Sequence, residues 1–183
     1  MTRREHLRGL LAAHVPGDAV EEGHLGRMRE LLGAEGDPFA RDYWSPGHFT
    51  ASSFVLSPTR DALLLILHSK LGRWLQPGGH VDPHDEDIFA AARREVEEEV
   101  GLTALPFAFG PVVFDVDVHV IPTLRGQPAH RHFDVRFAFV APSLKATAGS
   151  DALDARWVAL EAVEGLETDE SVLRAVRKLR LLV

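Results

Sequence analysis

The chain has no cysteine, one tyrosine and two methionines among its 183 residues. Without a thiol there is no disulfide framework and no soft-metal thiolate site, and an intracellular setting is compatible. No apolar run approaches the roughly 20 residues that a membrane-spanning helix needs. The opening MTRREHLRGLLAAHVP sets arginines before an apolar patch. That patch is short and interrupted by His14, so it does not read as a secretory leader, and the cytoplasm is the expected location. Positive charge is also scarce. With 20 Lys and Arg against 27 Asp and Glu, the formal net charge is -7, which speaks against nonspecific binding to nucleic acid or an anionic membrane. Internal repeats and low-complexity segments are lacking as well. What remains is an ordinary globular composition, 45% hydrophobic and 26% charged, with enough chain for one domain and an extension.

Apolar spacing lays out the elements. Residues 2–36 are expected to be helical, with Leu7, Leu10 and Leu11 forming one stripe and Leu25, Met28, Leu31 and Leu32 another. This region is too small for its own core, so residues 1–45 are read as an extension packed on a domain at 46–183. Runs at 48–56 and 63–68 predict two strands around the turn Ser57-Pro58-Thr59-Arg60-Asp61. Trp74-Leu75-Gln76 leads into Pro77-Gly78-Gly79. Two further strands are expected over 112–121 and 132–141, and a short one over 156–160. A final helix over 169–181 would turn Val172, Leu173, Val176 and Leu179 to the core. Strands with helices on both sides make an α/β chain, an α/β/α sandwich over a mixed sheet.

The segment GHVDPHDEDIFAAARREVEEEVGL concentrates carboxylates on a predicted helix. Asp82-Pro83 reads as a turn, Asp85 as the N-cap, and Gly101 as the residue after the helix end. At about 100° per residue, with Glu95 at zero, Glu99 falls at about 40° and Glu98 at about 300°. These three share a face. Phe89, Val96 and Val100 form the buried stripe, and Glu97 faces water. Like charges spaced i,i+4 destabilise a helix by a few tenths of a kcal/mol. One reading is a solvated acidic helix face with Arg94 as a local ion-pair partner; the other is a site where a divalent cation reverses that cost. Mg2+ takes oxygen ligands and bridges carboxylates to substrate phosphates, which an acidic cluster would otherwise repel.

The same residues resemble the Nudix box: Gly79 at the first position, then Arg94, Glu95, Val96, Glu98, Glu99, Gly101 and Leu102 at the last fixed ones. The middle departs from the pattern, because the box acid is either Asp85 or, with one extra loop residue, Glu86. The resemblance implies the Nudix fold, with a helical N-terminal extension here. It implies hydrolysis of a diphosphate linkage in a nucleoside diphosphate derivative, with Mg2+ or Mn2+ as cofactor. Glu98 and Glu99 would be direct ligands, Glu95 would bind or position a water, Arg94 would orient Glu95, and the Gly79 carbonyl would add a ligand. Homodimers are frequent among similar proteins. The alternative is a noncatalytic Nudix-like sensor of a nucleotide metabolite, against which the complete metal end of the box argues. Prenyl diphosphate isomerases use a similar fold but usually a cysteine, which is lacking here.

A second polar constellation lies after the box. Phe114, Val116, Val118 and Val120 alternate with Asp115, Asp117 and His119; Phe133, Val135, Phe137 and Phe139 alternate with His132, Asp134 and Arg136. Each strand therefore has one apolar and one ionisable face. Closed as a hairpin through residues 123–128, they set His119 beside His132 and Asp117 beside Asp134. Opposed aspartates repel unless a cation sits between them. One reading is a solvated polar face. The other is a face lining the substrate cleft, in which His119, His130, His132 and Asp134 bind phosphate, position a second metal or serve as general base, with Arg136 also assigned to substrate binding. His48 and Thr50 are expected to pack rather than border the cleft, Trp74 to lie in the core rather than stack on a base, and Trp157 to lie in the core. His80 and Arg73 flank the glycine pair as candidate phosphate contacts, and for Tyr43 and Trp44 on the linker shielding of the substrate is the less favoured of two readings.

Overall fold

The computed structural model describes residues 1–123, 126–149 and 152–183. Its elements, in order, are helices α1 (Arg3–Ala13) and α2 (Ala19–Gly33), strands β1 (Gly47–Leu56), β2 (Ala62–His68), β3 (Trp74–Leu75) and β4 (Gly78–His80), helix α3 (Ile88–Val100), strands β5 (Asp115–Ile121), β6 (His130–Val140) and β7 (Ala152–Ala159), a 3-10 turn (Leu160–Gly165) and helix α4 (Glu170–Leu179). This is the mixed α/β arrangement expected. The described residues form two compact units, each gathered from separate stretches: 1–51, 79–92 and 112–137 in the first, and 52–78, 93–111 and 138–183 in the second.

In the first unit the N-terminal region is helical as expected, in two helices that carry the two stripes. Thr2 caps α1 through a reciprocal pair of hydrogen bonds with Glu5. Asp18 caps α2 by accepting from the Glu21 N–H at 2.8 Å. The break between them is held by the buried Glu21 carboxylate, which takes the His14 ring at 2.7 Å and the Gly17 N–H at 2.6 Å. The leucine stripes are buried at Leu7, Leu11, Leu25, Met28, Leu31 and Leu32. Strand β5 pairs antiparallel with β6 in the expected register, Asp117 opposite Asp134 and His119 opposite His132, and β1 neighbours β6. Of the residues assigned to the turn of this hairpin, Leu124 and Arg125 lie outside those described. Gly47 starts β1 at φ 137, and a Cβ there would lie 2.0 Å from the Arg131 carbonyl oxygen. Only glycine lets β1 approach β6 this closely.

In the second unit β2 lies between β1 and β3 and also pairs antiparallel with β7. Strand β7 is longer than expected, and its Trp157 is half-buried, donating from Nε1 to the Leu144 carbonyl at 2.9 Å. The predicted core tryptophan is thus a surface anchor, because its indole N–H needs a partner. Trp74 is buried as expected. Helix α4 buries Val172, Val176 and Leu179, but Leu173 is only half-buried and Arg174 lies inside instead.

Candidate functional site: a carboxylate turn and a histidine face

Helix α3 starts later than the sequence suggested. Asp87, not Asp85, accepts from a first-turn N–H, that of Ala90 at 2.9 Å. Asp85 is buried and closes the preceding turn by accepting from the Asp82 N–H at 2.7 Å. Neither alternative box acid lies within the helix. The helix ends as expected at Gly101, with φ 70 and its N–H on the Glu97 carbonyl. Beyond the helix end, residues 147–149 fold against its last carbonyls: Thr147 N–H donates to Val100 and Gly149 N–H to Glu99 at 2.7 Å. A Cβ on Gly149 would stand 2.2 Å from the Glu98 carbonyl oxygen.

Along this last part of α3 the expected burial stripe is present. Phe89, Val96 and Val100 are buried and Glu97 is exposed. One guanidinium nitrogen of Arg94 donates to both Glu95 at 2.9 Å and Glu98 at 3.1 Å. The Glu98 side chain is 53% exposed. Glu99 is buried, and its Oε2 accepts from the Gly78 N–H at 2.9 Å. Gly78 is a residue sequence reasoning missed, since a backbone donor leaves no mark in side-chain identity. Three carboxylates at these offsets, one of them rigidly held, are a hard-oxygen donor set that suits Mg2+ or Mn2+.

The first unit holds a different constellation. Arg136 is buried among three aspartates, with Nε 2.8 Å from Asp134, Nη1 3.2 Å from Asp115 and Nη2 3.5 Å from Asp117. Thr50 donates to Asp134 at 3.0 Å. His119 lies 3.1 Å and His24 3.3 Å from Asp117. Burial alone would raise the Asp117 carboxyl, but hydrogen bonds from the two histidines and the Arg136 charge hold it well below the usual carboxylate range. Burial likewise works against the Arg136 charge, and Asp134, Asp115 and Asp117 outweigh it. The cation expected between the opposed aspartates is therefore Arg136 itself. Of the four residues assigned here to substrate, Asp134 and Arg136 have their charges engaged inside the protein, while the His119 side chain is 45% exposed.

Around this strand pair the rings gather. His48, His80, His119, His130 and His132 form a chain of ring contacts with centroids 4.9 to 5.5 Å apart. Trp44 sits on the edge of His48 and His130, and Tyr43 donates to the Glu35 carbonyl. His48, expected to pack in preference to bordering the cleft, is fully buried at the centre of this group. Burial pushes its pKa down to about 4, reinforced by His130. Burial and the neighbouring rings push His132 down to about 2. Both rings are neutral at pH 7.

A family model for the NUDIX domain matches residues 47–178. The chain belongs to the NUDIX family. It is an enzyme of the Nudix hydrolase type. Solved structures agree in fold. A NUDIX family hydrolase from Clostridium perfringens is 25% identical, over 74% of this chain and 98% of its own, with a TM-score of 0.54. The Escherichia coli dihydroneopterin triphosphate pyrophosphohydrolase is 19% identical over 77% and 99%, at 0.59. The NUDIX domain of Shewanella oneidensis NrtR, solved with ADP ribose, is 15% identical over 100% and 99%, at 0.56. No curated protein matches the chain.

Proposed function

We propose that this Nudix hydrolase cleaves the pyrophosphate bond of a nucleoside diphosphate linked to another moiety, by attack of water on phosphorus. The observation that carries the reading is the α3 turn itself. Arg94 spans Glu95 and Glu98, and Glu99 is fixed by a backbone N–H. Glu95, Glu98 and Glu99 would hold Mg2+ or Mn2+. Such an ion lowers the pKa of water and stabilises charge on phosphate oxygens. The residues' own work is positioning. Arg94 orients Glu95 and Glu98, and the Gly78 N–H fixes the Glu99 carboxylate. His119 and His132 are assigned to the substrate side. Asp134 and Arg136 act beneath them by fixing the strand pair. Residues 1–45 are an extension of the domain at 46–183. The protein works in the cytoplasm and acts on a small molecule rather than nucleic acid or membrane. No described helix is long and apolar enough to cross a membrane.

A phosphate-release screen over ADP-ribose, dinucleoside polyphosphates, nucleoside triphosphates and nucleotide sugars, with Mg2+ and Mn2+, tests this. At least one compound should turn over, and Glu99→Gln should reduce that rate by about 10²-fold or more. The second reading is a sensor of such a metabolite; a domain that shares the fold, that of NrtR, is solved with ADP ribose. Calorimetric binding of a panel compound without phosphate release would select it.

A further inference from the structure

We propose that His48, His130 and His132 form a binding site for a borderline-soft divalent cation of the zinc type. The site differs in chemistry from the carboxylates of α3. Three observations converge. First, one ligand nitrogen from each ring lies within 4.8 Å of the others. The Nε2 atoms of His130 and His132 are 3.3 Å apart. Two nitrogens bound tetrahedrally at about 2.0–2.1 Å from Zn2+ stand about 3.3–3.4 Å from each other, so this edge of the coordination shell already has its length. Second, His130 Nδ1 is 2.8 Å from the Pro128 carbonyl. As the donor there, it leaves Nε2 with a bare lone pair, and a backbone carbonyl behind the ring is the support that metal-ligating histidines use. Third, His48 is fully buried and, among the described residues, neither of its ring nitrogens has a partner within normal hydrogen-bond geometry, with the Tyr43 backbone nearby as a polar neighbour. Unpaired buried polar atoms are costly, and a cation would supply the missing partner for one of them.

The backbone arranges this convergence. His130 and His132 stand two apart on β6 and so project to one side. The Gly47 contact with Arg131 seats the neighbouring start of β1, which carries His48. Neutral imidazoles without a thiolate or a carboxylate suit zinc-class cations better than Mg2+. Bound there, the ion would tie β1 to β6.

The test uses the full chain in excess Mg2+, which occupies hard-oxygen sites. Co2+ serves as the spectroscopic probe and Zn2+ as the calorimetric one. One equivalent should bind with the absorption of tetrahedral cobalt. Histidine nitrogen NMR on the unmodified protein should show ligation-type shifts on three rings. His48→Gln and His132→Gln should each weaken Zn2+ binding at least tenfold, and Glu98→Gln should leave it unchanged. Zn2+ should also raise Tm by several degrees through its preference for the folded state. No equivalent bound in Mg2+, cobalt absorption of octahedral type, or affinity lost in Glu98→Gln but kept in the histidine variants would each overturn the site. Because the cobalt and NMR measurements are made on the unmodified chain, a variant that fails to fold does not leave the question open.

Discussion

Two places in this chain carry the same inventory: one arginine and three carboxylates. Around Arg136, three nitrogens meet Asp115, Asp117 and Asp134, and all four residues are buried. At Arg94, one nitrogen serves both Glu95 and Glu98, Glu99 is held by Gly78 instead, and Glu98 is half open to water. The inventory is equal and the outcome is opposite. In the buried group the charges are used up within the protein, and breaking one leaves the rest stranded in low dielectric. In the helical group the arginine is shared and the Glu98 carboxylate still faces solvent, which leaves it accessible to the cation proposed above.

The largest expected effect breaks the buried group. Arg136→Met should destabilise the fold by about 3–5 kcal/mol, because three carboxylates lose their counter-charge. Thermal unfolding should show a Tm lower by roughly 10 °C; an unchanged Tm would mean the network is not structural. Next comes Gly47→Ala, whose Cβ would collide with the Arg131 carbonyl at a positive φ. A loss of about 2–3 kcal/mol is expected in denaturant unfolding, and none would show that β1 can shift away from β6.

Acid provides a finer cut. Asp117 has its pKa depressed in the folded state. The unfolded chain therefore binds the proton first, and the stabilisation present above the ordinary carboxylate pKa is lost as pH falls below it. Unfolding followed from pH 6 to 3 should show a steep decline at the acid end that Asp117→Asn makes shallower. The smallest expected stability effect belongs to Arg94→Gln. Its ion pairs are partly exposed, so stability should change by only about 0.5 kcal/mol, while activity falls about tenfold or more because Glu95 and Glu98 lose their common anchor. A large drop in Tm for this variant would erase the contrast with Arg136.

Much of this was legible from sequence. Alternation placed β5 and β6 and set Asp117 opposite Asp134 and His119 opposite His132, because a period of two leaves no freedom once the hairpin closes. Helical spacing found the Glu95, Glu98 and Glu99 face and the Phe89, Val96 and Val100 stripe. What escaped depends on partners distant in the chain. Nothing near Asp134 says that Arg136 will turn inward to join Asp115. Nothing near Glu99 points to the Gly78 N–H. His48 reads as a packing residue until β1 is laid beside β6. The shift of the α3 cap from Asp85 to Asp87 is local, and it escaped because three acids compete within three positions.

The most direct measurement is Mg2+-dependent phosphate release from the preferred diphosphate compound by the unmodified protein and by Glu98→Gln, with Tm recorded for both. The account predicts release that rises with Mg2+ and saturates, a rate at least about 10²-fold lower in the variant at saturating Mg2+, and Tm values that agree. Equal rates at saturating Mg2+ would contradict it.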